Sequence, residues 1–184
     1  MNLNAMTRST SWEGVRAVVL GIGVSGFAAA DTLTHLGADV TVLAESANDV
    51  QREKATLLEV LGATVRIGTG ATDTLPDGVH VVVTSPGVPP TAPVIVAAGE
   101  RDVPVWGEVE LAWRLRDPEH PGAWLCVTGT NGKTTTVQML DTILRTAGLS
   151  SVAGTRGRAC GRWSPAWASP ASPRPTTSPT SVRA

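Results

Sequence analysis

The sequence has few cysteines, few aromatic residues and no long apolar segment. It contains no tyrosine, one phenylalanine and two cysteines in 184 residues. The cysteines, Cys126 and Cys160, offer neither a disulfide framework nor zinc-ligand spacing, which favours a reducing cytoplasm. The first twelve residues are polar and have no apolar signal core. No window reaches the roughly 18 apolar residues of a spanning helix, so we expect a cytoplasmic protein without membrane insertion.

Charged residues are also few, and the two signs nearly cancel. They make up 17% of the chain, and the formal net charge is −1. This balance argues against a general binder of nucleic acid or of anionic membranes. Hydrophobic residues make up 42% of the chain, which is enough for a core. The length suits one domain of roughly 100–150 residues and part of another. We also expect a monomer.

A first glycine-rich turn follows a predicted buried strand at 16–20. Residues 21–26 read G-x-G-x-x-G, a small-residue helix is predicted over 27–36, and a second strand at 39–43 leads to Glu45. Strand, glycine turn, helix, strand and an acid about 20 residues on form a dinucleotide fingerprint. The pattern predicts that a phosphate or sugar phosphate binds at the start of this helix, but it does not identify the ligand that carries the phosphate.

Strands and helices continue to alternate up to residue 115. The predicted elements are a helix at 50–61, strands at 63–67 and 79–84, a helix from Pro93 to Ala98, an edge strand at 103–106 and a helix at 107–115. This alternation predicts a Rossmann-like, doubly wound α/β domain over 14–115 that binds ligands at the carboxyl ends of its parallel strands. Residues 116–122 have the composition of a linker.

A second glycine loop lies between a predicted strand at 123–127 and a predicted helix at 137–145. Residues 129–135 read G-T-N-G-K-T-T, typical of a phosphate-binding loop, although Val127 stands where the general pattern has its first glycine. Lys133 would face the β- and γ-phosphates of a nucleotide, and the Thr134 hydroxyl could bind Mg²⁺. The fold prediction therefore continues with the truncated start of a P-loop ATPase domain at 123–153.

The last part of the chain has a different composition. From Leu149 onwards there is no lysine, aspartate or glutamate, but there are five arginines, two tryptophans and five prolines. No helical or strand period survives there, which predicts an irregular tail at 154–184. Our hypothesis is that the tail is translated from a shifted reading frame of a GC-rich gene.

The two glycine motifs, in this order and spacing, resemble the Mur ligase family. The resemblance covers roughly residues 14–153 and is carried by segments 21–26, 84–88, 106–112 and 129–135. The loop of this family also lacks the glycine that Val127 replaces. Asn131 and the fingerprint at Gly21 resemble the D-glutamate-adding members. The resemblance implies an ATP- and Mg²⁺-dependent ligase that adds D-glutamate to UDP-N-acetylmuramoyl-L-alanine through an acyl phosphate.

The resemblance also implies roles for individual residues. Lys133 would be catalytic by neutralising charge during phosphoryl transfer, and Thr134 would help to bind Mg²⁺. The implied ATP-binding residues are Gly129, Thr130, Asn131, Gly132, Lys133, Thr134 and Thr135. The implied UDP-sugar-binding residues are Gly23, Val24, Ser25, Gly26, Glu45, Ser85, Pro86 and Gly87.

Some of these residues have simpler interpretations. The family usually carries an acid followed by Thr and Arg after the second strand, where this chain has Ala44-Glu45-Ser46. Glu45 could therefore bind the uracil with a one-residue shift, or it could be a solvated charge. Ser85-Pro86-Gly87 also has the composition of an ordinary turn.

Two other functions remain open at this point. A nicotinamide-dependent (NAD) oxidoreductase would use the motif at 21–26 and Glu45 but has no use for the loop at 129–135. A non-catalytic fragment that binds a UDP-sugar would use residues 16–115 alone. In the family, the remaining catalytic groups and the D-glutamate domain lie downstream of residue 153. We therefore expect the 184 residues alone to show no turnover.

Overall fold

The computed structural model describes residues 3, 6–117, 119, 123–149 and 151. It divides the chain into two units, Met1–Trp124 and Leu125–Ala184. The predicted tail at 154–184 and most of the predicted linker lie outside the described residues. Among those described, no helix is both long and apolar enough to cross a membrane.

The first unit alternates strands and helices along the chain. Its strands are β1 (Arg16–Leu20), β2 (Asp39–Ala44), β3 (Thr64–Ile67), β4 (Val81–Thr84) and β5 (Val105–Gly107). Its helices are α1 (Val24–His35), α2 (Asp49–Val60), α3 (Pro93–Glu100) and α4 (Glu108–Arg114). The described part of the second unit contains one helix, α5 (Lys133–Thr146).

The five strands form one parallel sheet in the order β3-β2-β1-β4-β5. Leu20 in β1 pairs with Leu43 in β2 and with Thr84 in β4, so these central strands end at the same level. The short strand β5 lies at the edge, as Pro104 predicts, because proline cannot donate a hydrogen bond to a further neighbour. The predicted Rossmann-like α/β fold is confirmed.

Helices cover both faces of this sheet. Alternate residues of each strand point to opposite faces, so Ala17 and Val19 enter one core while Val18 and Leu20 enter the other. Helices α1, α2 and α4 contribute to the first core, and α3 contributes to the second. The crossover from β3 to β4, residues 68–80, contains no helix and places Leu75 in the second core, 4% exposed.

A tryptophan pair closes the first core beside the sheet edge. Trp12, which precedes every strand, is fully buried and meets the ring of Trp106 edge to face at 6.5 Å between centroids. Its indole N–H donates to the carbonyl of Thr7 at 3.0 Å, so the polar end of the ring is also satisfied. The guanidinium of Arg114 lies 4.3 Å from the centroid of the Trp106 ring.

The structure corrects two helix starts and one strand predicted around the glycine loops. Helix α1 begins at Val24 instead of residue 27, and α5 begins at Lys133 instead of residue 137, because each glycine turn leads directly into the helix. The strand predicted at 123–127 is wrong, since residues 123–129 contain no strand. A strand needs a neighbour to share its hydrogen bonds, and the described part of the second unit provides only α5.

Candidate functional site

The carboxyl ends of β1 and β4 mark the point where the sheet changes direction. From β1 the chain moves outward to β2 and β3, whereas from β4 it moves the opposite way to β5. Open α/β sheets bind ligands in the crevice at such a point. Two loops meet there, the glycine turn 21–26 after β1 and the loop that starts with Ser85 after β4.

The glycine turn allows α1 to start very close to the end of β1. Gly21 has φ +87°, a backbone conformation that favours glycine. A Cβ on Gly26 would lie 2.0 Å from the carbonyl oxygen of Gly21, so no other residue fits there without a shift. Gly23 is the N-cap and has no side chain to bond the first-turn N–H groups of α1. Those N–H groups therefore remain available to an anion.

Ser85 connects the two loops at the crevice. Its N–H donates to the carbonyl of Leu20 at 3.2 Å, which continues the pairing of β4 with β1. Its hydroxyl oxygen would lie 3.1 Å from a Cβ on either Gly21 or Gly26. That oxygen is buried and has no hydrogen-bond partner among the described residues. Pro86 and Gly87, by contrast, are exposed at the rim.

Glu45 stands at the carboxyl end of β2 and is bound by the β3–β4 crossover. Its carboxylate accepts hydrogen bonds from the N–H groups of Gly70 and Thr72, each at 3.0 Å, and from the Thr72 hydroxyl. The Thr72 hydroxyl, followed by the two backbone donors, lowers the pKa of Glu45 below its usual value. Glu45 is therefore not simply a solvated charge.

The loop of the second unit has the backbone expected of a phosphate-binding loop. Gly129 and Gly132 have φ values of +156° and +78°, and α5 begins immediately after Gly132. The Lys133 ammonium group donates to the carbonyls of Gly129 and Thr130, so it lies over the loop rather than extending into solvent. The side chains of Thr134 and Thr135 are exposed in the first turn of α5.

A polar network joins α5 to Ser151, the last residue that the structure describes. Asp141 accepts from the guanidinium of Arg145 at 3.0 Å and from the Ser151 hydroxyl, while Arg145 donates to the Ser151 carbonyl at 2.7 Å. The Ser151 hydroxyl, then Arg145, lowers the pKa of Asp141. Our sequence analysis missed this network, although the i,i+4 spacing of Asp141 and Arg145 predicts an ion pair.

Two domain families match the chain. "Mur ligase MurD-like, N-terminal domain" matches residues 15–107, and "Mur ligase middle domain" matches residues 127–183. This chain belongs to the Mur ligase family. The first match includes the β1–α1 turn and the loop after β4, and the second includes the loop at 129–135. The family that the sequence motifs predicted is thus confirmed for this Mur ligase chain.

Curated relatives of this Mur ligase chain are named UDP-N-acetylmuramoylalanine–D-glutamate ligase. One from Streptomyces avermitilis is 55% identical over 144 residues, covering 78% of this chain and 30% of that protein. Relatives from Streptomyces coelicolor and Thermobifida fusca are each 53% identical, over 78% and 77% of this chain and 31% and 30% of their own lengths. The chain thus spans about 30% of the length of these relatives.

Among solved structures, a shikimate dehydrogenase of Mycobacterium tuberculosis resembles the chain with a TM-score of 0.37 and 22% identity. The similarity covers 55% of this chain and 48% of the dehydrogenase. It is too low to support a conclusion about function.

The structure brings together only some of the predicted site residues. It places segment 21–26 and the loop from Ser85 to Gly87 at the same edge of the first unit's sheet, and the end of β2 with Glu45 at that same edge. Segment 129–135 forms its own loop in the second unit. The middle-domain match continues through residue 183. It therefore includes the tail for which we hypothesised a frame shift, and that hypothesis remains a prediction.

Proposed function

We propose that this Mur ligase chain supplies the UDP-sugar-binding and ATP-phosphate-binding parts of a ligase that adds D-glutamate to UDP-N-acetylmuramoyl-L-alanine. The observation that carries the proposal is the presence of two glycine loops in one chain, each leading directly into a helix, one of them at the switch point of a parallel sheet. A nicotinamide-dependent oxidoreductase needs only the first loop. The printed name of the relatives supports the choice of substrates.

The first loop suits the diphosphate of a UDP-sugar. The start of α1 offers the backbone N–H groups of Val24 and Ser25, and Gly23 leaves them uncapped. Gly26 allows the helix to begin this close to β1. Across the crevice, the loop of Ser85, Pro86 and Gly87 would form the second wall. A contact between Glu45 and the uracil remains a prediction.

The second loop suits the phosphates of ATP, because its backbone and donors fit the group. Gly129 and Gly132 adopt positive φ values, which turn the backbone around a concave loop. The segment Gly129, Thr130, Asn131, Gly132, Lys133, Thr134 and Thr135 would hold the phosphates. Lys133 would move from the loop carbonyls to the phosphate oxygens, and the exposed Thr134 hydroxyl would give Mg²⁺ one oxygen ligand.

The chemistry proposed is amide formation driven by phosphoryl transfer. The substrate carboxylate would take the γ-phosphoryl group of Mg²⁺-bound ATP and become an acyl phosphate, which releases ADP. The amine of D-glutamate would then attack the acyl carbon, so that the amide forms while inorganic phosphate and a proton leave. Lys133 would neutralise charge on the phosphates that it faces, which is why we propose it as a catalytic residue. The first unit would orient the UDP-sugar by binding its diphosphate.

The test is a pair of substitutions at Gly23 in the 184-residue chain. Gly23→Ala and Gly23→Asp should both fold, because a Cβ at Gly23 meets no atom within 4 Å. Alanine adds no hydrogen-bond acceptor and leaves the first-turn N–H groups of α1 available, whereas aspartate caps them and adds a negative charge where the diphosphate would lie. Calorimetry should show that Gly23→Ala binds UDP-N-acetylmuramoyl-L-alanine and that Gly23→Asp binds it at least about tenfold more weakly.

NAD serves as the competing ligand in the same titrations. Binding of NAD by the unaltered chain, without binding of UDP-N-acetylmuramoyl-L-alanine, would favour an oxidoreductase and reject the ligase proposal. A chain that binds the UDP-sugar but neither ATP nor a non-hydrolysable analogue would instead be a non-catalytic UDP-sugar-binding fragment.

The exposed free thiol of Cys126 supports a reducing, cytoplasmic location. We propose a monomer, which light scattering would check.

A further inference from the structure

Glu45 is exposed at the carboxyl edge of the sheet, and its carboxylate accepts hydrogen bonds from the β3–β4 crossover. Oxygen Oε1 accepts from both the N–H and the hydroxyl of Thr72, and oxygen Oε2 accepts from the N–H of Gly70. An oxygen that accepts two hydrogen bonds has used its accepting capacity. Oε1 is therefore fully engaged by Thr72, and both oxygens hold the first turn of the β3–β4 crossover.

Thr72 is also hydrogen-bonded to α3. Its carbonyl oxygen accepts from the N–H of Val94 at 3.2 Å, which is one of the first-turn N–H groups of α3. The N-cap of α3, Ala92, has no side-chain acceptor, so Thr72 takes the role that a capping side chain usually has. One residue thus joins the end of β2, through Glu45, to the start of α3.

The position of α3 matters because it follows the loop that begins at Ser85. The chain runs from β4 through Ser85, Pro86 and Gly87 into α3, with no other element between them. Val94 and Ala98 of α3 pack against Leu75 of the crossover in the second core. Glu45 is therefore bonded directly to the crossover turn and, through Thr72, to the start of α3, the helix that follows the loop after β4.

Hydrogen bonds attach the tight first turn of the crossover to the end of β2. The N–H of Gly68 donates to the carbonyl of Ala44 at 3.0 Å, and Gly70 has φ +80°. A Cβ on Gly70 would lie 3.1 Å from a carboxylate oxygen of Asp73, an acidic side chain directed toward the same turn. Two internal bonds close the turn, from the N–H of Ala71 to the carbonyl of Gly68 at 3.0 Å and from the N–H of Asp73 to the carbonyl of Gly70 at 3.1 Å. The hydrogen bonds to Glu45 further attach this turn to the end of β2.

We propose that Glu45 is a positioning residue for the UDP-sugar site, which holds the β3–β4 crossover and, through Thr72, the start of α3, instead of binding the uracil. This inference rests on the proposed UDP-sugar function of the first unit. It differs from the uracil contact predicted from the family pattern, because here the acid reaches protein donors. It also assigns a role to Thr72, which the sequence motifs do not single out.

Three substitutions in the 184-residue chain separate positioning from contact. Glu45→Gln replaces one acceptor oxygen by a donor group, Thr72→Val removes the hydroxyl while keeping the shape, and Thr72→Ser retains the hydroxyl. Glu45→Gln and Thr72→Val should each weaken binding of UDP-N-acetylmuramoyl-L-alanine by about threefold to tenfold. Thr72→Ser should bind as the unaltered chain does. The double variant should bind the UDP-sugar no more weakly than the weaker-binding single variant, because both substitutions break the same connection between Glu45 and Thr72.

The preference for UDP over CDP separates a positioning role of Glu45 from a direct contact with the uracil. If Glu45 positions the site, Glu45→Gln weakens UDP and CDP by the same factor, since the base is not read by this side chain. If Glu45 binds the uracil, the preference for UDP over CDP falls in Glu45→Gln and is unchanged in Thr72→Val. A fall in that preference, or a Thr72→Val variant with unaltered affinity, would overturn the inference.

Hydrogen exchange measured without ligand tests the connection independently of binding. In Glu45→Gln the amides of Gly70 and Thr72 should exchange faster, while that of Val18 in the central strand should be unchanged. If exchange accelerates but UDP-sugar affinity does not change, the inference fails and the proposed function stands. If the unaltered chain binds no UDP-sugar, the proposed function fails and the positioning role fails with it.

Discussion

The carbonyl oxygen of Gly21 occupies the space that a side chain on Gly26 would need, 2.0 Å from the position of its Cβ. The two glycines face each other across the turn that joins β1 to α1. Their contact is what allows a helix to begin four residues after a strand ends, and so brings the helix N-terminus to the edge of the sheet.

This contact predicts the effect of enlarging Gly26. Gly26→Ala should lower the free energy of unfolding by about 1–3 kcal/mol, because the methyl group must displace backbone rather than a flexible side chain. Gly23→Ala is the matched control, since its Cβ meets no atom within 4 Å, and it should cost less than about 1 kcal/mol. Urea denaturation of both variants measures the difference. Equal stability of the two would contradict the packing described for the turn.

The unpartnered hydroxyl of Ser85 leads to a second prediction. A buried hydroxyl without a hydrogen bond loses its hydration and gains nothing, so Ser85→Ala should be neutral or stabilising by up to about 1 kcal/mol. Ser85→Val should instead be destabilising by about 1–3 kcal/mol, because the added methyl groups would crowd Gly21 and Gly26. Thermal unfolding compares the two variants. A clearly destabilised Ser85→Ala would show that the hydroxyl does have a partner.

Lys133 should matter for nucleotide binding and little for folding. Its ammonium group bonds only to the carbonyls of its own loop among the interactions described, at a side chain that is partly exposed. Lys133→Ala should weaken ATP binding by at least about tenfold and leave UDP-sugar binding unchanged. Lys54→Ala, which removes a lysine from α2, is the control for the lost charge. Calorimetry that finds the same ATP affinity in both variants would reject the phosphate role of Lys133.

The lowered pKa of Glu45 predicts how the crossover responds to acid. Its folded-state pKa lies below the ordinary value of 4.5, so the fold favours the ionised form. The stability that this carboxylate contributes is therefore complete above the ordinary value and is lost as the pH falls through the lowered pKa. The unaltered chain should be more stable than Glu45→Gln at pH 7, and the difference should shrink in acid below pH 4.5. A difference that is the same at both pH values would contradict the ionised carboxylate.

Sequence reasoning succeeded where the structure depends on local pattern. The β1–α1–β2 unit and the edge position of β5 follow from glycine spacing, apolar runs and Pro104, which are all visible within a few residues. It failed for the strand at 123–127, because an apolar run becomes a strand only when another strand lies beside it. It also could not identify the partners of Glu45, since Gly70 and Thr72 lie 25 and 27 residues further along the chain. Such a contact is set by the packing of the crossover, which no short motif specifies.

Trp12 is a buried fluorescent side chain in a unit that also contains the exposed Trp113. The indole is shielded from water and adjoins a second tryptophan, Trp106, so its emission should be blue-shifted and should move to longer wavelengths when the unit opens. The same ring makes an expression boundary at residue 14 unfavourable. A fragment cut there would lose a wholly buried aromatic side chain and leave Trp106 facing a hole. A minimal version of the unit should begin before Thr7, so that the indole keeps its carbonyl acceptor.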